Sequence, residues 1–197
     1  MANDISPAQF ADASQGAKLL TLRRKIGWIC QIVRLAAPAY AAWVLYLNVD
    51  YWSDTAAINN GYGRLLQRDL SAILPWQQAA AFGVDFVVWL FAAYTCYSSW
   101  RLFTLYLSGD VLTPGAAQWL RRLALYGTVS QILSIATRPL VSVILTLHFP
   151  ANQKLRIVNI FFQPNDLAFL LLLFVLLALA HIQKSAAEIA SEHAQFV

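Results

Sequence analysis

Charge is what this chain has least of. Of 197 residues, 12% are Asp, Glu, Lys or Arg, about half of the roughly 25% found in a soluble globular domain. That deficit excludes an ordinary water-soluble fold, which needs charge over its surface. Cysteine is scarce too. Cys30 and Cys96 are the only two, and both fall in apolar stretches, where they suit buried small hydrophobes better than a disulfide framework or a metal site. No CxxC, HExxH, GxSxG or P-loop pattern occurs, so the residues point to no enzyme, metal or cofactor. His148, His181 and His193 lie too far apart in the sequence and in expected depth to share a metal. The first twenty residues do not read as a cleavable signal, because Asp4 and Asp12 stand where a basic region belongs. There is no internal repeat and no low-complexity tract. The net charge of +4 would suggest nucleic acid in a soluble protein. No basic patch interleaved with aromatics supports that here, and no direct nucleic-acid contact is expected.

What the chain does have is apolar length. Hydrophobic residues make up 59% and mean hydropathy is +0.53. Residues 167–183 (LAFLLLLFVLLALAHIQ) contain no formal charge, Pro or Gly. A helix of that length covers about 26 Å, near the thickness of a bilayer's hydrocarbon core. The bilayer is therefore the first partner. The class is an all-α membrane protein, a four-helix bundle with spans near 26–49, 77–100, 116–140 and 166–184, forming one domain over 26–197.

Before the first span, residues 1–16 read as a loose end and 17–25 as a basic interfacial helix. Lys18, Arg23, Arg24 and Lys25 make this the most basic segment. Its first meaning is a topology signal, and its second a partner-binding patch. Pro38 predicts a kink in the first span, and Trp43, Tyr46 and Trp52 suggest an aromatic belt at its far end. In the loop that follows, residues 62–74 read as a short amphipathic helix, with Leu65, Leu66, Ile73 and Leu74 on its apolar face. Gly109 and Asp110 signal a turn, and Thr113 can cap a third helix that opens with Pro114. Arg138 and Pro139 then interrupt. Residues 141–149 (VSVILTLHF) and 154–162 (KLRIVNIFF) are β-branched and aromatic, and read as a small β-hairpin outside the membrane or partly in its interface, over 141–163. The competing reading extends the third helix to Leu147. Asn165 or Asp166 caps the fourth span. Residues 185–197 continue as a helical tail, with Glu188 and Glu192 as an acidic edge.

With the N-terminus inside, inner segments carry Lys18, Arg23, Arg24, Lys25, Arg101, Arg121, Arg122 and Lys184. Outer loops carry Arg64, Arg68, Lys154 and Arg156. Eight against four places both termini in the cytoplasm. Three charges fall within or near the spans, where charge is costly and suggests function by default. Arg34 lies about 12 Å from the inner start of the first span, and snorkelling to inner headgroups explains it. Asp85 lies a similar distance from the outer start of the second span, and Arg138 comes late in the third. Depth therefore lets Asp85 and Arg138 pair, either as a clamp between helices or as a polar relay. Ser98, Ser99, Thr128 and Ser130 read as interhelical hydrogen-bond donors.

The run SGDVLTPGAAQWLRRLALYG (108–127) and the closing FFQPNDLAFLLLLFVLLALAHIQKSAAEIASEHAQFV (161–197) resemble a bacterial membrane family, domain of unknown function 2975. Pro114 and Gly115 depart from it, standing where a polar, often Asn-containing segment is usual. The resemblance implies a four-helix protein of the bacterial inner membrane. It assigns no catalytic residue and implies a soluble helix-turn-helix regulator as a partner. Two functions are expected in order. The first is an interaction, regulatory or sensory component with a cytoplasmic face of Arg23, Arg24, Lys25, Arg121, Arg122, Glu188 and Glu192. The second is a small transporter or channel-like subunit using the intramembrane pair Asp85 and Arg138, with a homo-oligomer supplying a second half. A membrane enzyme ranks last.

Overall fold

The computed structural model describes the backbone of residues 7–109, 113–150 and 163–195, and side chains over 27–109, 113–150 and 163–189. Four long helices dominate. They are α1 (Pro7–Ser53), α4 (Pro75–Ser108), α5 (Pro114–Thr146) and α6 (Pro164–Gln195). Between α1 and α4 lie two short pieces, α2 (Thr55–Ile58) and α3 (Arg64–Leu66), joined by a π-helical turn, Asn59–Gly63. Each long helix contains a stretch long and apolar enough to cross a membrane: Gly27–Ser53, Pro75–Ser108, Pro114–Thr146 and Pro164–Ile189. The chain is a multi-pass membrane protein in its architecture.

The helices are longer than the expected spans. Helix α4 has 34 residues and α5 has 33. At 1.5 Å per residue each is about 50 Å long, well beyond the roughly 30 Å of a hydrocarbon core. Neighbours in the chain pack together: α1 on α4, α4 on α5, and α5 on α6. Helices α1 and α6 make no substantial contact among the described residues. The four therefore form an open row with α5 its most enclosed member, and α1 and α6 at the edges.

Local chemistry explains the helix ends. Thr113 accepts a hydrogen bond from the Ala116 N–H at 3.3 Å with Pro114 at the first helical position, the arrangement its sequence suggested. Gly109 closes α4 with φ 98°, a conformation glycine adopts without a Cβ clash. At the start of α6 the expected cap is replaced. Asp166 sits in the first turn and accepts from the Gln163 N–H at 2.9 Å, as the acid of a capping box does.

Four expectations are corrected. Residues 141–146 are not a strand: they complete α5, which runs through Pro139 without stopping. Val141 and Leu145 are buried one turn apart, while Ser142 and Thr146 turn their hydroxyls back to the carbonyls of Arg138 and Ser142, at 2.9 Å each. Burial on a helical period outweighs β propensity here. The partner strand, 154–162, lies outside the described residues. Residues 62–74 do not form an amphipathic helix either. Helicity ends at Gln67, which has φ 52°, and the chain folds back so that Asn59 Oδ1 accepts from the Leu70 N–H at 2.8 Å. A Cβ on Gly63 would meet Asn59 Oδ1 at 2.4 Å and the Arg68 carbonyl at 3.0 Å, so only glycine fits this fold-back. Leu70 is buried while Leu65 and Leu74 are exposed. The N-terminal stretch is also not loose throughout: from Pro7 it belongs to α1, with no break before residue 26. Finally, Trp52 is not a belt residue, being only 3% exposed.

Inside the row, small residues let helices approach. Ala116, Ala117, Ala124 and Gly127 are buried along α5. A Cβ on Gly127 would stand 2.7 Å from Leu173 Cδ2 and 3.4 Å from Thr95 Cγ2, so α4, α5 and α6 meet there. Gly127→Leu is expected to force α6 outward and lower stability by about 2 kcal/mol, read by reversible unfolding in mixed micelles. Gly127→Ala needs only the Leu173 tip to turn and should cost under about 1 kcal/mol. Wild-type stability in Gly127→Leu would contradict this close approach.

Candidate functional site

Two polar layers bracket a slab without charge. Residues 35–49, 86–100, 123–137 and 167–183 contain no Asp, Glu, Lys or Arg. The structure sets these four stretches side by side. Trp89 Nε1 donates to the Ala41 carbonyl at 3.0 Å, linking α1 and α4, and Ser130 reaches the Val88 carbonyl at 3.4 Å, linking α5 and α4. The first three stretches are about 22 Å long and the fourth about 25 Å. Snorkelling side chains at both edges make up the rest of a bilayer. Of the other hydroxyls expected to cross between helices, Ser98 and Thr128 bond back to Tyr94 and Ala124 of their own helices.

At one edge, the loop end, the first loop folds into a cap. Trp52, Ile58, Leu70, Ala81, Val141 and Leu145 form a buried apolar cluster. It lies where the helices outrun the charge-free slab, so it buries surface that lipid would not cover. Two glutamines beside it are satisfied internally. Gln77, fully buried, accepts from the Leu74 N–H at 3.2 Å and donates to the Ile144 carbonyl at 2.7 Å. Gln78 donates to the Trp52 carbonyl.

Asp85 and Arg138 both border this cap, but they do not pair. Asp85 accepts from Trp52 Nε1 at 2.9 Å. Arg138 forks onto Asp166, Nη1 to Oδ2 at 2.6 Å and Nη2 to Oδ1 at 2.8 Å. Gln131 adds a third side-chain bond to Asp166 at 3.0 Å. The carboxylate at the start of α6 lies at the depth of Arg138 and offers both oxygens to the planar fork. Asp85 stands on α4 with an indole donor already in place. Tyr62 lies in the field of both. Burial pushes its phenol well above the ordinary range, Asp85 and Tyr51 push the same way, and Arg138 opposes them. The phenol stays protonated at neutral pH. His148, at the same end, has both ring nitrogens buried without a hydrogen-bond partner among the described residues.

The opposite edge holds the described N-terminal part of α1, the end of α4, the start of α5 and the end of α6. Tyr106 on α4 and Gln183 on α6 hydrogen-bond there at 3.3–3.4 Å. Arg34 stacks over Trp100 at 5.8 Å, which places it at the slab's edge and not inside it. Of the expected partner face, Arg121 is exposed, Arg122 lies over the Trp119 ring at 4.6 Å, and Glu188 pairs with Lys184 at 3.6 Å, both exposed. The side chains of Arg23, Arg24, Lys25 and Glu192 lie outside the described ones. A shallow groove of about 440 Å³ opens on α6, lined by His181, Ile182, Ser185, Ala186 and Ile189. Among the described residues, no three His, Cys, Asp or Glu side chains gather as metal ligands, and Cys30 and Cys96 are free thiols.

The architecture is thus that of a four-span helical membrane protein with a capped end and an end that gathers α1's N-terminal and α6's C-terminal parts. Comparison with known proteins finds no matching family model, no similar curated protein and no similar solved structure.

Proposed function

We propose that this chain is a non-enzymatic interaction or regulatory component of a membrane. In this reading a soluble partner docks where the two terminal helices leave the bilayer. The observation that carries it is their overreach. Helix α1 starts at Pro7, about 42 Å before the charge-free stretch begins at residue 35, and α6 continues to Gln195, about 18 Å past residue 183. A helix extending that far into water needs a partner for any apolar face it carries. The groove at His181–Ile189 lies on the α6 part of this region. The excess of Lys and Arg on that side favours the cytoplasm, and the resemblance to domain of unknown function 2975 supports a bacterial inner membrane. That resemblance also offers a soluble helix-turn-helix regulator as the partner. A homo-oligomer fits the same reading, with α1 and α6 free at the row's edges.

The second reading is a small transporter or channel-like subunit. It rests on Asp85, which is only half-buried and lies near Tyr62, but it no longer has the Asp85–Arg138 pair. Affinity capture from gently solubilised native membranes separates the two. The intact chain is expected to retain one soluble protein that a version lacking residues 185–197 loses. No soluble protein with either version would overturn the regulatory reading, and ion flux altered by Asp85→Asn would establish the second.

A further inference from the structure

At the termini end, three arginines rest on aromatic rings and, among the described residues, on no carboxylate. Arg122 and Arg101 lie over the same Trp119 ring, at 4.6 Å and 5.4 Å, and Arg34 lies over Trp100 at 5.8 Å. Tyr97 joins the two indoles. Its ring is 5.9 Å from Trp100 and, edge-on, 5.8 Å from Trp119. The result is one cluster drawn from α1, α4 and α5. None of the three arginines makes an ion pair among the described residues, and Arg101 Nε is buried with no hydrogen-bond partner.

Stacking on an aromatic face attracts a guanidinium but leaves the N–H donors in its plane unused. Arg101 and Arg122, which share one ring and have no counter-charge among the described residues, also repel one another. Both facts call for an anion, and the planar fork of arginine matches a phosphate. Depth identifies the anion. Arg34 immediately precedes the charge-free stretch of α1, Arg101 immediately follows that of α4, and Arg122 immediately precedes that of α5. All three stand at the level where lipid headgroups begin. On the slab side of Arg34, the exposed Leu35, Trp43 and Leu47 offer an apolar surface along which an acyl chain can lie.

We propose that Arg34, Arg101 and Arg122, held by Trp100 and Trp119, bind the phosphate of an anionic phospholipid in the leaflet facing both termini. This site is independent of the soluble-partner reading, and either can fail alone. The test is lipid retention by the purified full chain in neutral detergent, counted by native mass spectrometry. The chain is offered equal amounts of phosphatidylglycerol and phosphatidylcholine with identical acyl chains. The wild type is expected to retain at least five-fold more of the anionic lipid. The triple variant Arg34→Gln, Arg101→Gln and Arg122→Gln should fall below two-fold, with phosphatidylcholine retention unchanged. Arg121→Gln, which removes an exposed neighbour without ring contacts, should keep the wild-type preference. Equal retention of both lipids by the wild type overturns the proposal, and so does an equal loss in Arg121→Gln and the triple variant. Loss of the preference in 10 mM inorganic phosphate assigns the cluster to a soluble anion and overturns it as well. If the triple variant does not purify folded, the single variants decide: each should lower the preference at least two-fold, and three unaltered preferences refute the site.

Discussion

Trp52→Ala is expected to open the cap while leaving the helices of the slab in place. Trp52 is only 3% exposed, and its indole packs edge-on to Tyr51 at 5.4 Å and against Tyr62 at 6.0 Å. It also donates the hydrogen bond that Asp85 accepts among the described residues. Truncating a buried tryptophan costs about 3–5 kcal/mol. Trp52 is the largest side chain of the cap's buried apolar cluster, so the loss falls on the cap first. Within the slab, lipid supplies the apolar surroundings and the loss is not transmitted. Trp52→Phe divides the effect. It keeps most of the ring contact but strands the Asp85 carboxylate without its donor, at about 1–3 kcal/mol. Native-state hydrogen exchange reads both variants. In Trp52→Ala, amides of residues 55–74 should exchange about 100-fold faster, with residues 86–100 unchanged. Equal acceleration of both regions would mean that the cap is not a separate unit. No acceleration in either would mean that Trp52 does not hold it.

How much of this is legible in the sequence depends on which force shapes each part. The four spans follow from a single cost that outweighs all others, that of placing charge and bare backbone in lipid. Apolar run length expresses that cost directly. The turn at Gly109 and the cap at Thr113 are equally local. Residues 141–149 mislead because β-branched composition is a weak signal beside tertiary burial. Val141 and Leu145 cluster with the first loop's Ile58 and Leu70, segments about 70–90 residues apart that no local pattern brings together. The amphipathic reading of 62–74 fails for a similar reason, since the Asn59 side chain takes up Leu70's N–H and stops the helix. Depth gives Arg138 two carboxylates to choose from, Asp85 and Asp166. Local pattern marks the second only as a cap, although a residue opening one span and a residue late in the preceding span lie side by side when helices run antiparallel. The tryptophans of the termini end are legible as interfacial residues, but not as platforms for arginines, because stacking depends on rotamers and helix phase.

Arg138→Leu is expected to be the most damaging single change at the α5–α6 junction, and to be largely repaired by a second. The fork of Arg138 supplies two of the four hydrogen bonds on Asp166 among the described residues, with Gln131 and the Gln163 N–H supplying the others. Asp166 is 3% exposed. Removing the arginine leaves a buried carboxylate with neutral donors only, and breaking such a pair from one side costs about 3–5 kcal/mol. The lower end applies, because the Arg138 side chain is 23% exposed and the α6 N-terminus partly offsets the stranded charge. Asp166→Asn should cost less, about 2 kcal/mol, since Arg138 stands at the slab's edge and can turn its head to water. The double variant Arg138→Leu with Asp166→Leu should lie closer to wild type than either single change predicts, because both desolvation penalties vanish together. The three are compared by reversible unfolding in mixed micelles. Additive losses in the double variant would show that the residues act independently and that the pair is not what ties α5 to α6. If the double variant instead matched wild-type stability yet lost the soluble partner captured by the intact chain, the pair would be coupled to the termini end, some 25 Å away along the helices. That outcome would make the junction part of a signalling route and not only a clamp.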